Sequence, residues 1–247
     1  VQEANDTPGA DVILVPDGDF FLSIAGRGED AAATGDLDIT SEISIVGSAP
    51  NRVTISADSL DRVFDVQMGG SLFLASVSVV DGLENASEGG GGIRNRGTLS
   101  LQSCEVRNNV SDDGSSGFGG GLSSTGTLVV NDSSINDNRA GTAAGLGGGL
   151  YAESGTLTNT VIFWNSVGDT SGINGAAGVF HNGPVAIRNC TIVDNSGGIL
   201  GAVAGFVGTP TVRNTIIADN TSTFGGGDCL AVESEGYNLI EDASACT

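Results

Sequence analysis

The sequence predicts an all-β fold, a single-stranded right-handed parallel β-helix of about eight or nine coils. Two residue patterns recur at intervals of roughly 25–30 residues, and short runs of alternating polar and apolar residues lie between them. Composition agrees, because glycine accounts for 40 of 247 residues and aromatic residues for only 5%. The core must therefore consist of small aliphatic side chains in thin, repeated layers.

The first recurring pattern is an apolar residue, two variable residues and an asparagine. The asparagines are Asn109, Asn138, Asn165, Asn195 and Asn220, preceded by Val106, Ile135, Ile162, Ile192 and Ile217. The second pattern is a Gly- or Ala-rich step that ends in an apolar residue. These residues are Ile93, Leu122, Leu150, Val179 and Phe206. Period-two alternation between the patterns indicates strands, and glycine and asparagine indicate turns.

A unit of this size cannot bury its own apolar face, so the units are expected to stack. Strands of successive coils then pair in parallel at about 4.8 Å, giving a rod on the order of 40 Å long. The five asparagines are expected to form an internal ladder, with the aliphatic residues as a second ladder beneath them. The right-handed sense follows from the general preference of parallel crossover connections.

The whole chain is expected to form one domain in three parts. Residues 1–88 hold irregular N-terminal coils, residues 89–225 regular coils, and residues 226–247 a C-terminal cap. Strands are predicted at residues 11–15, 43–47, 52–55, 63–66 and 72–74, with a protruding loop at 26–38. Residues 2–5 resemble the end of a helix that begins before Val1. A β-sandwich is the alternative fold, but the regular spacing of identical residues argues against it.

Charge narrows the range of partners. The chain has thirty acidic residues and nine basic ones, all of them arginine, and its net charge is −21. Such a chain is a poor ligand for nucleic acid, whose binding depends on cations that neutralise phosphates, and for anionic membrane surfaces. No stretch reaches the 18 or more apolar residues of a membrane span, so membrane insertion is not expected.

The four cysteines divide into two pairs. Cys229 and Cys246 flank a terminal strand and are predicted to form a disulfide that fixes the last coil, which suits an oxidising exterior. Cys104 and Cys190 lie at the same repeat position, three coil steps or about 14 Å apart. A disulfide requires Cα atoms within about 7 Å, so these two are predicted to be free thiols.

Several segments resemble a known group of proteins. Residues 5–13, 28–30, 35–39 and 60–64 are similar to bacterial CSLREA-type β-helix proteins, and the two repeat patterns resemble those of polymorphic outer-membrane proteins. The resemblance covers nearly the whole chain, although the hexapeptide that names the first family would lie just before Val1. It implies a secreted or surface-exposed protein, and most such proteins have no assigned activity.

Catalysis would need clustered acidic groups. Asp137, Asp194 and Asp219 each lie just before an Asn anchor, and the last two are expected in adjacent coils near 5 Å, which suits a retaining glycosidase pair. Arg188 and Arg213 share one repeat position and could assist or neutralise these acids. The alternative interpretation is a row of exposed turn carboxylates. The sole histidine, at position 181, is predicted at an exposed turn, so a zinc site is not expected.

A calcium site is predicted at Glu29, Asp30, Asp36 and Asp38, which crowd one glycine-containing loop with the oxygen ligands that Ca²⁺ prefers. The alternative is that Asp36 and Asp38 cap strand ends. No cofactor is required. Trp164 and Tyr151 are a further candidate pair for stacking on sugar rings.

These observations favour a non-catalytic secreted or cell-surface module with a structural, adhesive or assembly role. Its expected partners are a surface glycan, a protein, or further copies of itself joined end to end. The alternative is a carbohydrate-active enzyme, a polysaccharide lyase or hydrolase, that acts on an acidic glycan through the row of aspartates.

Overall fold

The computed structural model describes residues 1–168, 175–198, 201–222 and 227–246. Within these ranges the protein is all-β apart from one short helix, Gln2–Asp6, and its strands stack in parallel as a β-solenoid. The predicted fold class is therefore confirmed. Two sheets of nine strands and one of seven run along the solenoid, close to the eight or nine predicted coils.

Each coil passes through the three long sheets in turn. The first sheet comprises Ala10–Val15, Glu42–Gly47, Ser71–Ala75, Thr98–Gln102, Thr127–Asn131, Gly155–Thr158, Val185–Arg188, Thr211–Arg213 and Glu233–Ser234. The second comprises Gly18–Phe21, Val53–Ser56, Ser78–Val80, Glu105–Arg107, Ser134–Asn136, Val161–Phe163, Thr191–Val193, Ile216–Ala218 and Leu239–Ile240. The third comprises Leu37–Ile39, Phe64–Val66, Ile93–Asn95, Leu122–Ser124, Leu150–Ala152, Val179–Asn182 and Val203–Val207.

Two small sheets extend the middle coils between the second and third sheets. One contains Leu83–Glu84, Val110–Ser111, Arg139–Ala140 and Ser166–Val167, and the other pairs Ser116–Phe118 with Ala144–Leu146. No helix of the described residues is long and apolar enough to cross a membrane.

The interior is built from ladders of identical or similar side chains. The second-sheet register aligns one buried aliphatic residue per coil, namely Val106, Ile135, Ile162, Ile192 and Ile217. Aliphatic side chains stacked at the strand spacing exclude water along the axis, and this burial is the main stabilising contribution to a solenoid.

The asparagines form a second, hydrogen-bonded ladder. Asn138 Oδ1 accepts from the backbone N and the Nδ2 of Asn109, both at 3.0 Å, and Asn165 Oδ1 accepts likewise from Asn138 at 3.1 and 3.0 Å. Asn195 and Asn220 repeat the pattern at 2.9–3.0 Å. Each buried amide thus finds its partners inside the stack, so the polar row carries no desolvation penalty for unpaired groups.

Two predicted positions are wrong. In the last Gly-rich step, Val203 and not Phe206 aligns with Val179, because the third-sheet register leaves Phe206 as the bulged residue between the paired Gly205 and Val207. The segment 26–38 does not protrude either. Its end enters the third sheet as Leu37–Ile39, and Arg27 Nη1 donates to the carbonyl oxygen of Leu83 at 2.7 Å, which holds the segment against one of the small sheets.

The cysteine predictions are confirmed. Cys229 and Cys246 form a disulfide with Cα atoms 5.0 Å apart, and Cys104 and Cys190 are buried free thiols. Both cysteines lie within residues 227–246, so the disulfide closes this terminal segment on itself.

Candidate binding face

The predicted row of aspartates lies at the corner that follows the second sheet. Asp137, Asp194 and Asp219 have φ of 54°, 55° and 55°, the left-handed region that Asp and Asn tolerate better than most residues. All three are exposed. The backbone therefore gives a sufficient local reason for aspartate at this position, and the row is not by itself an acid–base pair.

The row contains one residue that the backbone does not favour. Trp164 occupies the same corner with φ 55°, where a bulky side chain is uncommon. It is 60% exposed, and its ring lies 5.1 Å from the ring of Phe163. The corner between the first and second sheets has a counterpart, Tyr237, with φ 62° and 82% exposure. Exposed aromatic residues thus lie at both corners of the second sheet but three coils apart, since Trp164 follows its sixth strand and Tyr237 precedes its ninth.

Between these corners the outer side of the second sheet changes character along the axis. Glu105 and Ser134 take the first outward position in the middle coils, and Val161, Ile216 and Leu239 take it further on. The last three are 39%, 44% and 61% exposed. The apolar stripe is defined as Val161, Phe163, Trp164, Val193, Ile216 and Leu239. Thr191 separates Val161 from Ile216 in this row, and Phe163 and Val193 are half-buried. Exposed apolar side chains grouped in this way mark interaction surfaces.

The two predicted arginines lie away from the aspartate row. Arg188 and Arg213 end neighbouring strands of the first sheet, in register. Arg188 pairs with Glu235, with Nη2 and Oε2 3.3 Å apart, and no ion pair within the described ranges joins either arginine to the row. The expectation that they neutralise those acids is therefore wrong.

The predicted calcium ligands separate. Glu29 accepts hydrogen bonds from three backbone N–H groups of its own loop, which lower the pKa of its carboxyl. Asp36 is buried against an arginine. Only Asp30 and Asp38 come together, and they meet Asp65, with one oxygen of each carboxylate within 4.8 Å of the others.

Side-chain donors of the protein already face these three carboxylates. Gln67 Nε2 lies 2.9 Å from an oxygen of Asp30 and 2.8 Å from an oxygen of each of Asp38 and Asp65, so its two N–H groups are shared among the three carboxylates. Arg94 Nε donates to Asp65 Oδ1 at 2.9 Å. A cation at these oxygens would have to displace the amide, so the arrangement fits an internal ionic network better than the predicted four-ligand calcium site.

This network contains the acidic groups whose pKa values burial perturbs most. Burial raises the pKa of Asp36 to about 8 against the opposing charge of Arg62, and it also raises the pKa of Asp38 and of Asp61. Sequence analysis missed Asp61 and Asp65 as members of a site. The available signal was register, since Asp38 and Asp65 take the same middle position in neighbouring third-sheet strands.

His181 is buried and not exposed as predicted. Its Nδ1 lies 3.1 Å from the carbonyl oxygen of Gly183, and burial lowers the pKa of its ring. Gly205 in the next coil makes room, because a Cβ there would lie 2.5 Å from ring atoms. The predicted pair of Trp164 and Tyr151 does not form, since Tyr151 belongs to the third sheet and Trp164 to the corner after the second.

No protein-family model matches this sequence, and no curated protein or solved structure matches it. The resemblance to CSLREA-type and polymorphic outer-membrane proteins therefore stays a prediction. Function has to be inferred from the chain's own residues.

Proposed function

We propose that the chain is a non-catalytic adhesive module, secreted or displayed at a bacterial cell surface, that binds a glycan along its second sheet. The observation that carries the proposal is Trp164, the largely exposed aromatic residue of the apolar stripe, which lies at a left-handed corner. Local backbone geometry favours Asp or Asn there, so the indole is better explained by a contact that its ring makes with a partner.

The surroundings of the stripe suit a sugar better than a purely apolar partner. The corner between the first and second sheets carries Asn159, Asn189 and Asn214, and the corner after the second sheet carries Asp194 and Asp219. All five side chains are exposed. Sugar rings present apolar faces rimmed by hydroxyl groups. Apolar side chains in the middle can contact the faces, while amides and carboxylates at the margins accept and donate hydrogen bonds.

The disulfide supports the proposed location. Cys229 and Cys246 are bonded in the chain, and structural disulfides persist in oxidising surroundings such as the exterior of a cell. The net charge of −21 agrees with a protein that is surrounded by water and does not bind an anionic membrane surface.

The second candidate is the carbohydrate-active enzyme, and one observation favours it. A cavity of about 270 Å³ near the N-terminal network is lined by Arg27, Asp61, Arg62 and Glu88, among others. Burial raises the pKa of Asp61, as a general acid requires. For the enzyme, this cavity is a better candidate for acid–base catalysis than the exposed aspartate row.

Retention and turnover on a panel of neutral and acidic polysaccharides, with and without Ca²⁺, separate the two functions. We expect retention without release of reducing or unsaturated ends. The double variant W164A/I216S should be retained about tenfold more weakly, since aromatic anchors dominate such contacts. Phe73→Ser is the matched control, because Phe73 is a 39% exposed apolar residue on the first sheet.

Release of new chain ends by the wild-type protein would contradict the adhesive function and support the carbohydrate-active enzyme. Failure of every polymer to retain the protein would contradict glycan adhesion altogether. Equal retention of W164A/I216S and the wild type would remove the apolar stripe as the binding surface.

A further inference from the structure

A row of polar side chains runs along the corner between the first and second sheets, at the last outward position of the first-sheet strands. In register, these residues are Gln102, Asn131, Thr158, Arg188 and Arg213. The two arginines occupy neighbouring coils, so their Cα atoms are separated by the spacing of parallel strands, about 4.8 Å.

Two arginines side by side are conspicuous in a chain with nine basic residues and a net charge of −21. Neighbouring cationic side chains repel each other, and an anion bound between them offsets that repulsion. Only one carboxylate serves the pair, since Glu235 contacts Arg188 at 3.3 Å, and no side-chain hydrogen bond or ion pair of Arg213 occurs within the described ranges. Within the described ranges, the guanidinium group of Arg213 therefore has no anionic partner.

The arginines line a surface depression of about 380 Å³. Its other lining residues are Thr158, Asn189, Asn214 and Tyr237. Asn214 Nδ2 donates to Asn189 Oδ1 at 2.9 Å, which fixes the two amides relative to each other. Tyr237 contributes a phenol ring at one end of the depression.

We propose that this depression binds a carboxylated sugar unit of a glycan. The guanidinium groups of Arg188 and Arg213 match a carboxylate in charge and in planar, two-pronged hydrogen-bonding geometry. The ring of Tyr237 offers a face for the sugar, and Asn189 and Thr158 offer polar atoms for its hydroxyl groups. The inference rests on the proposed adhesive function and names the chemical class of its ligand.

Glu235 has a specific part in this site. Its carboxylate contacts Arg188 at the place where the ligand's carboxylate would bind, so it competes with the ligand. Removing its charge should strengthen binding of an anionic sugar. A purely structural ion pair makes the opposite prediction, because its loss would loosen the corner and leave affinity unchanged or lower.

The test titrates the protein with polygalacturonate and with its methyl ester, which lacks the charge. We expect the wild type to bind the acid form about tenfold more tightly than the ester, with the difference shrinking at high salt. The double variant R188Q/R213Q should lose this preference, and E235Q should increase it several-fold. Arg139→Gln is the control, since Arg139 lies on one of the small sheets, off the second sheet, and is already paired with Asp112 at 3.1 Å.

The outcomes separate the pocket from the stripe. Equal affinity of the wild type for both polymers, or an unchanged preference in R188Q/R213Q, would overturn the pocket while leaving the adhesive function intact. Binding of neither polymer by the wild type would overturn the pocket, and the adhesive function would fall with it only if no polysaccharide of the panel retains the protein. Weaker binding of the acid form by E235Q would contradict the role given to Glu235. Weaker binding of both polymers by W164A/I216S, with the preference retained, would support two separate contacts.

Discussion

The outer side of the third sheet has opposite chemistry at its two ends. Its middle outward position holds Asp38, Asp65 and Arg94 in successive N-terminal coils, followed by Ser123, Tyr151, Phe180 and Ala204. Toward the N-terminus the position belongs to an ion-pair network, and toward the C-terminus to a stack of rings, with Tyr151 and Phe180 5.9 Å apart.

The comparison shows that covering segments, and not the solenoid backbone, decide what an outward position carries. Asp30 and Asp36 arrive from the segment before Leu37–Ile39 and bring charge onto the N-terminal end. Leu146 and Ala176 pack around Phe180 at the other end. Both outward rows are buried, but one is stabilised by paired charges and the other by apolar contact.

The largest effect is expected from Asp65→Ala, which removes the carboxylate shared by several arginines. Arg94 and Arg96 would keep their charges at a partly buried place without their partner. Breaking a buried ion pair in this way costs about 3–5 kcal/mol. Equilibrium denaturation should show a correspondingly lower unfolding free energy.

The control for this prediction is the double variant D65L/R94L, which exchanges charge for apolar contact. Replacing both partners of a buried pair is often close to neutral. We expect it to be more stable than Asp65→Ala. A double variant as unstable as the single one would mean that the N-terminal end cannot accept the chemistry of the C-terminal end.

At the C-terminal end, Phe180→Ala is expected to cost about 3 kcal/mol through lost burial and the cavity left behind. Phe180 is fully buried, and its ring contacts the rings of Tyr151 and Phe206. Salt distinguishes the two ends, since an apolar loss should be the same in low and high salt, while the loss in Asp65→Ala should depend on it. Equal salt dependence of both variants would contradict the comparison.

Sequence reasoning succeeded on the inside of the solenoid and was weaker on its outside. Interior positions such as Asn138 and Ile135 see the same neighbours in every coil, so the same residue type recurs and is visible as a repeat. Asp38, Asp65 and Arg94 share an outer position without sharing a residue type. Their partners come from covering segments, and no spacing in the sequence marks those contacts.

The candidate face was predictable only in part. The aspartate row and its interruption by Trp164 followed from alignment of the repeats, and so did the shared position of Arg188 and Arg213. The contact between Glu235 and Arg188, whose strands are two apart in the first sheet, could not be predicted, because the terminal coil departs from the repeat. His181 is buried because Gly205 lies opposite it in the next coil. The predicted alignment of the last Gly-rich step, which set Phe206 against Val179, did not place Gly205 there.

The smallest expected effect is a difference in pH response between the ends. Burial raises the pKa of Asp36 to about 8, so the stability it contributes is present at low pH and is lost as pH rises through that value. Burial lowers the pKa of His181, so its contribution is present above the ordinary histidine pKa of about 6.5 and is lost as pH falls. Arg62 lessens the effect at Asp36 by stabilising its charged form.

Hydrogen exchange resolved by segment and corrected for intrinsic rates measures this difference. Between pH 5 and 8, protection of Leu37–Ile39 should fall while that of Val179–Asn182 rises. Asp36→Asn and His181→Gln should flatten the respective responses. Parallel changes at both ends, in either direction, would show that the two groups do not govern their surroundings.

The asparagine ladder gives the solenoid a direction. Every ladder amide accepts at its oxygen from the preceding coil and donates from its nitrogen to the next, from Asn109, which accepts from the Gly82 N–H, to Asn220, which donates to Asp228. The same nitrogens also donate to backbone carbonyl oxygens of the preceding coil. The amide dipoles therefore add along the axis, as backbone dipoles do in a helix. A coil duplicated or deleted as a whole would leave this order intact, so we expect the rod to tolerate changes of length by whole repeats.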